Sequence, residues 1–199
     1  MEGSYPGQVK APPPDLAERL FEVGDRVLDP GREFRIEELA ELTGVARATL
    51  YYYFSGKDDV VAFLLSQQLE RGTAVVTGAA HSQGSPSRRL EAVLRAMFGI
   101  MAEHPALCTR LLCLMANEGT AGQLMADVER TLMAPVRELL LEGRGTGEFV
   151  VSDLMDTTLS LMGAVSTVSM AHVANGTFDP DAIADRLVPQ LLHGLQPRR

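Results

Sequence analysis

Apolar positions recur at helical spacing along most of the 199-residue chain. Leu16, Leu20, Val23 and Val27 mark one face of a first helix, which Asp15 can cap and which runs to about Leu28. Asp29-Pro30-Gly31 ends it by turn chemistry. Ile36, Leu39 and Ala40 then fall at i, i+3 and i+4 on a short helix that stops at Thr43-Gly44, because glycine accepts the left-handed conformation that follows a helix end. Val45 and Leu50 resume the pattern on another short helix, and Ser55-Gly56-Lys57 turns into a long one over about 57–77. After a polar linker at 81–87, Leu90, Val93, Leu94, Met97, Phe98 and Met101 define an amphipathic helix ending near His104-Pro105. A leucine-dense segment follows at 106–116, then a helix over about 121–142 with a kink expected at Pro135. Residues 143–147 read as a flexible loop and Phe149-Val150-Val151 as extended chain. Asp153 caps a helix over about 154–174, Asn175-Gly176 ends it, and Asp179-Pro180 starts the last, which runs to about Leu195. Nothing predicts a sheet. The pattern is an all-α chain of about nine helices.

Residues 35–54 hold two short helices joined by a glycine-containing turn, the helix-turn-helix arrangement. Its second helix carries Arg47, Thr49, Tyr52 and Tyr53, a basic, hydroxyl-bearing and aromatic set suited to a DNA groove. Leu39-Ala40, Gly44-Val45, Thr49-Leu50-Tyr51 and Phe54, followed by Lys57, closely resemble the N-terminal domain of the TetR family of transcriptional regulators, from Leu16 to roughly Val61. The resemblance implies that Arg47, Ala48, Thr49, Tyr52, Tyr53 and Lys57 meet double-stranded operator DNA. It implies that Leu50, Tyr51 and Phe54 pack into the small domain core. Two positions depart from the family pattern. Phe34 and Arg35 stand where Thr or Ser usually precedes the motif, and Ala46 stands at the N-cap of the recognition helix. Losing such a cap costs about 1 kcal/mol; Arg35 can replace a phosphate contact electrostatically.

Charge sharpens this picture. The chain carries a net charge of -8. Through Val60 there are seven Lys/Arg against twelve Asp/Glu, net -5, leaving -3 for the remainder. Phosphate neutralisation supplies most non-specific affinity, so modest affinity is expected, raised by dimerisation. No apolar run reaches the ~20 residues of a membrane span, and the polar, proline-rich start (1–14) reads as an extended arm rather than a secretory leader. Cys108 and Cys113 lie five apart on one helix and diverge. A reduced, cytoplasmic protein is expected.

The resemblance implies a helix-turn-helix domain at 15–60 followed by a C-terminal effector-binding and dimerisation domain (61–199). It holds eight of the nine methionines, a residue that adapts to irregular apolar surfaces and ligands. By composition a plain core is the simpler reading; the resemblance implies a small-molecule pocket between the middle helices. Helical phase places it among Phe98, Met101, Leu111, Met115, Val136, Met162, Ser166 and Met170. The last two helices, with Gly163, Ala164, Ser166 and Ser169, are by resemblance the homodimer interface. The four histidines lack metal-ligand spacing, no glycine-rich phosphate loop is present, and His104 with Cys108 has no third group, so neither catalysis, metal nor cofactor is expected. The expected function is a homodimeric repressor released from its operator by a small apolar effector. The alternative is a TetR-like ligand-binding or protein-interaction dimer with weak or lost DNA binding.

Overall fold

A computed structural model of the chain describes residues 11–28, 34–115 and 126–196, apart from the side chains of Leu114 and Met115. Residues 1–10 of the expected arm, the Asp29-Pro30-Gly31 turn and the first residues of the helix expected from 121 lie outside that description. Among the described residues every regular element is a helix and none is a strand. In order they are α1 (Pro14–Glu22), α2 (Gly24–Val27), α3 (Ile36–Thr43), α4 (Arg47–Tyr53), α5 (Lys57–Ala80), α6 (Pro86–Glu103), α7 (Pro105–Met115), a π-helical turn (Glu129–Met133) that leads into α8 (Ala134–Thr146), α9 (Leu154–Ala174) and α10 (Pro180–His193).

The helices fall into two compact units. One contains α1–α4, α5 through Gln68, and His104–Cys113; the other contains Leu69–Glu103 and the chain from Leu114 onward. In the first, Leu20, Leu39, Leu50 and Leu64 are fully buried, and the Phe54 ring packs on Phe63 with centroids 5.5 Å apart. Arg19 donates to the Thr43 carbonyl at 3.4 Å, a cation at the C-terminal end of α3 where the helix dipole favours it. Asp15 does not cap α1. The helix already starts at Pro14, whose fixed φ suits a first turn, and Asp15 pairs instead with Arg19 at 3.3 Å. The expected single helix to Leu28 is also broken at Val23, ahead of Gly24, where an added Cβ would lie 3.3 Å from Leu107.

The second unit is built around α6, which packs most extensively on α10 and then on α8 and α9. Leu90, Leu94, Phe98, Val136, Leu140 and Val188 are fully buried there. Ion pairs between Arg89 and Glu142 and between Arg95 and Asp185 (2.7 Å) join its helices at their solvent edges. Pro135 lies at the start of α8, directly after the π turn. A proline has no N–H to donate and its ring crowds the carbonyl four residues back; the wider π turn relieves both demands. Residues 143–147 are not a flexible loop. The helix continues to Thr146 because Phe149 folds back onto it: a Cβ on Gly143 would overlap the Phe149 ring, and the Phe149 N–H donates to the Gly143 carbonyl at 3.0 Å. Gly147, at φ +78, makes the left-handed turn that allows this return.

Candidate nucleic-acid interface and effector region

Gly44 sits in the left-handed region (φ +66) and turns the chain from α3 to α4. Leu50 anchors α4 in the core, and 3.6 residues per turn places Ala48 and Tyr52 on the side opposite it. Arg47, Ala48, Thr49 and Tyr52 are exposed, as are Arg35 and Lys57 at the flanking helix starts. Tyr53 is half-buried and meets the Tyr52 ring edge-on at 4.9 Å. Tyr51 is a correction. It does not pack into the core but stands 52% exposed beside Tyr52 at 54%. The helical phase held that signal, since one residue past Leu50 already points away from the core. Arg35 and Arg47 have no carboxylate partner among the described residues, whereas Arg19 is paired.

The caps behave as the sequence suggests. Neither Arg35, before α3, nor Ala46, before α4, provides a side-chain cap. At the start of α5 the Ser55 N–H donates to the Asp59 carboxylate at 2.8 Å, and Asp58 lies in the same first turn. A carboxylate thus takes an amide close to Lys57.

In the same unit, the Asp25 carboxylate accepts the Leu107 N–H at 3.1 Å, occupying a first-turn amide of α7, and stands 3.8 Å from His104 Nδ1. Burial pushes the Asp25 carboxyl above its ordinary 3.8, opposed by the Leu107 amide and then by His104. His104 also meets the Phe21 ring edge-on at 4.4 Å. The buried Gln68 amide donates to Cys108 Sγ at 3.4 Å. His104 and Cys108 therefore face different partners, which fastens α7 to α2 and α5.

The structure brings Phe98, Val136 and Met162 into one core of the second unit. Met101 is buried on α6, Ser166 and Met170 are half-buried on α9, and Leu111 is buried on α7 in the first unit. The Met115 side chain lies outside the description. Ser169, expected among the small residues of the dimer interface, lies inside the chain instead. It is fully buried on the α9 face shared with Met162 and Val165, and its hydroxyl has no hydrogen-bond partner among the described residues. Two open depressions follow the α9–α10 groove. One, of about 400 Å³, is lined by Asp153, Asp156, Ser160 and Leu191 among others; the other, of about 260 Å³, by Val168, His172, Ile183, Arg186, Leu187 and Gln190. Neither includes an expected effector residue. No described helix is long and apolar enough to cross a membrane.

Residues 32–63 match the family described as bacterial regulatory proteins of the tetR family, and residues 83–195 match the tetracyclin repressor-like C-terminal domain. No curated protein matches the chain. Among solved structures, the fatty acid degradation regulator FadR of Bacillus halodurans is 21% identical with a TM-score of 0.77, covering 95% of this chain and 100% of its own. FadR of Bacillus subtilis, solved in complex with stearoyl-CoA, is 17% identical with a TM-score of 0.73, covering 90% and 99%. A ketosteroid transcriptional regulator of Mycobacterium tuberculosis is 18% identical with a TM-score of 0.71, covering 96% and 98%.

Proposed function

Because the chain belongs to the TetR family of bacterial transcriptional regulators, we propose that it is a cytoplasmic homodimeric repressor that leaves its operator when a small apolar molecule enters the second unit. One observation carries the DNA-binding half of this reading: the uncovered face of α4 presents Arg47, Ala48, Thr49, Tyr51 and Tyr52, with the exposed Arg35 beside the motif. Arg47 can reach a guanine edge, Thr49 a phosphate or thymine methyl, the tyrosine hydroxyls phosphates, and Ala48 leaves room for the groove. Tyr53 and Lys57 add backbone contacts. Two such helices enter successive major grooves only when set about 34–36 Å apart, one turn of DNA.

The effector half rests on an apolar interior with a polar handle. Phe98, Met101, Val136, Met162, Ser166 and Met170 are the proposed contacts, and the Ser169 hydroxyl, without a partner among the described residues, is added to them. Two structural relatives point to the same class of ligand, since one was solved with stearoyl-CoA and another is a ketosteroid regulator. An effector preferring the mis-spaced dimer shifts the population away from DNA, and the coupling is reciprocal. No catalytic step is assigned to the chain.

A second reading, a ligand-binding dimer that has lost DNA binding, is favoured by the Asp59 carboxylate on the Ser55 amide and by the uncapped α4. Titration of the DNA upstream of the coding sequence, at low and moderate salt, separates the two. The repressor reading expects salt-sensitive specific binding that Arg47→Ala weakens by about 1–3 kcal/mol. A folded dimer that binds none of this DNA at low salt, with or without acyl or steroid ligands, leaves the second reading standing.

A further inference from the structure

Five polar side chains are buried among the described residues: Thr43, Gln68, Thr131, Thr158 and Ser169. Four of them are satisfied inside the chain. Thr43, Thr131 and Thr158 donate to the carbonyls of Leu39, Asp127 and Leu154, each four residues back, at 2.6–2.7 Å. The Gln68 amide donates to Cys108 Sγ. Ser169 departs from this habit. It is 0% exposed, and its hydroxyl, which the same helical return could have satisfied, has no partner among the described residues. Native interiors rarely leave such a group unmade, because burial strips it of water.

The surroundings of Ser169 are apolar and adaptable. One and two turns back on the same face of α9 stand Val165 and Met162, which share a core with Met97 and Phe98 of α6. Methionine, unbranched and polarisable, reshapes to admit a guest. Charge is what this interior lacks. No lysine follows Lys57, and residues 116–125 contain neither lysine, arginine nor histidine. Arg89 has a buried Nε without a partner among the described residues, but Glu142 already neutralises its guanidinium. Asp185, at 2.7 Å, and Glu129 likewise take Arg95 and Arg137. The other described arginines of the second unit are exposed, and the half-buried His172 is turned to Thr177 at 2.9 Å. A carboxylate drawn in beside Ser169 would find no counter-ion, and an isolated buried charge is costly. After Val60 eleven Lys/Arg face fourteen Asp/Glu, so the phosphates of a larger conjugate meet no net attraction at the surface either.

We propose that the effector is an uncharged apolar molecule with a lone carbonyl oxygen, and that the Ser169 hydroxyl donates to that oxygen. The inference rests on the effector reading above and adds the chemical class of the ligand. Contact area holds the apolar body and tolerates its shape; the hydroxyl selects, because a hydrocarbon leaves it unmade. A ketone or an ester satisfies it without bringing a charge inside, which a fatty carboxylate cannot do.

The test is equilibrium dialysis of the full chain and its Ser169→Ala variant against two matched pairs and two anions. The pairs are methyl decyl ketone with dodecane and androstanone with androstane; the anions are dodecanoate and dodecanoyl-CoA. Circular dichroism checks the fold of the variant, which loses only a hydroxyl that nothing in the chain uses. At least one ketone should bind about tenfold or more tightly than either anion. Ser169→Ala should weaken that ketone by about tenfold and leave its parent hydrocarbon unchanged. A chain that binds none of the six overturns the effector reading itself. A chain that takes either anion as tightly as the ketones, or whose variant loses ketone and hydrocarbon alike or neither, keeps an effector and overturns this class.

Discussion

Helices α4 and α9 each leave one face uncovered, and the two faces differ in kind. On α4 the exposed side chains are large and able to hydrogen-bond: Arg47, Thr49, Tyr51 and Tyr52 project around the single small Ala48. On α9 the exposed line is small: Ser160, Gly163, Thr167 and Ala171, with Leu159 at its border. A face that reads base edges needs reach and donors, because information in a groove lies several ångström beyond the helix surface. A face that packs against another helix needs the opposite, since small residues bring backbones together. On the proposed reading, side-chain size is what separates the nucleic-acid face from the protein face.

The largest expected break comes from putting bulk where α9 is small. Gly163→Leu adds a side chain with open space around it within the chain, and leucine favours the helix more than glycine does. The fold should survive, as judged by an unchanged helical circular dichroism signal. The dimer should dissociate, and operator affinity should fall by about a hundredfold or more as the two half-sites cease to be bound together. Unchanged sedimentation at micromolar protein would remove α9 from the interface and with it the size argument.

The contrast between the faces also explains what the sequence made legible. The α4 turn, its Gly44 and the Leu50 anchor follow from short-range rules, and the structure has them in place. Asp153 and Asp179 cap α9 and α10 as their positions suggest. Tyr51 was misassigned to the core because an aromatic is counted as apolar before its helical phase is considered. The start of α1 departs from the expectation because the three prolines ahead of Asp15 set the first turn before a cap residue can. Residues 143–147 were missed for a different reason. Their glycines look like a loop until Phe149, six residues on, is known to lie against Gly143, a tertiary fact no local window contains. The effector side chains are the least legible, since an apolar side chain lining a ligand and one filling a core have the same period; the unpaired Ser169 hydroxyl became visible only through its burial.

A middle-sized effect should come from mending α4 rather than breaking α9. Ala46 precedes the recognition helix in an extended conformation (φ -61, ψ 138), the geometry of an N-cap, yet has no side-chain acceptor. Ala46→Ser should supply one to a first-turn amide and raise thermal stability by about 1 kcal/mol. The same hydroxyl is placed to donate to a phosphate, so operator affinity should rise while the dimer constant stays fixed. A stability gain without tighter DNA binding would mean that the start of α4 does not touch the backbone, weakening the assignment of this face.

The smallest effect is expected from a charge that belongs to neither face. Burial raises the Asp25 carboxyl above 3.8 in the folded chain. Between 3.8 and that raised value the folded state keeps a proton the unfolded state has lost, so stability falls as pH rises through the window and the penalty persists above it. Asp25→Asn keeps an oxygen for the Leu107 N–H and removes the buried charge. Its chemical stability should exceed that of wild type modestly at neutral pH and converge with it at low pH, while the dimer constant and operator specificity are unchanged. An Asn variant less stable than wild type at neutral pH would show instead that the ionised carboxylate, through His104 and the α7 amide, outweighs its own desolvation. The Asp25 link would then be an electrostatic clamp on α7 rather than a tolerated cost.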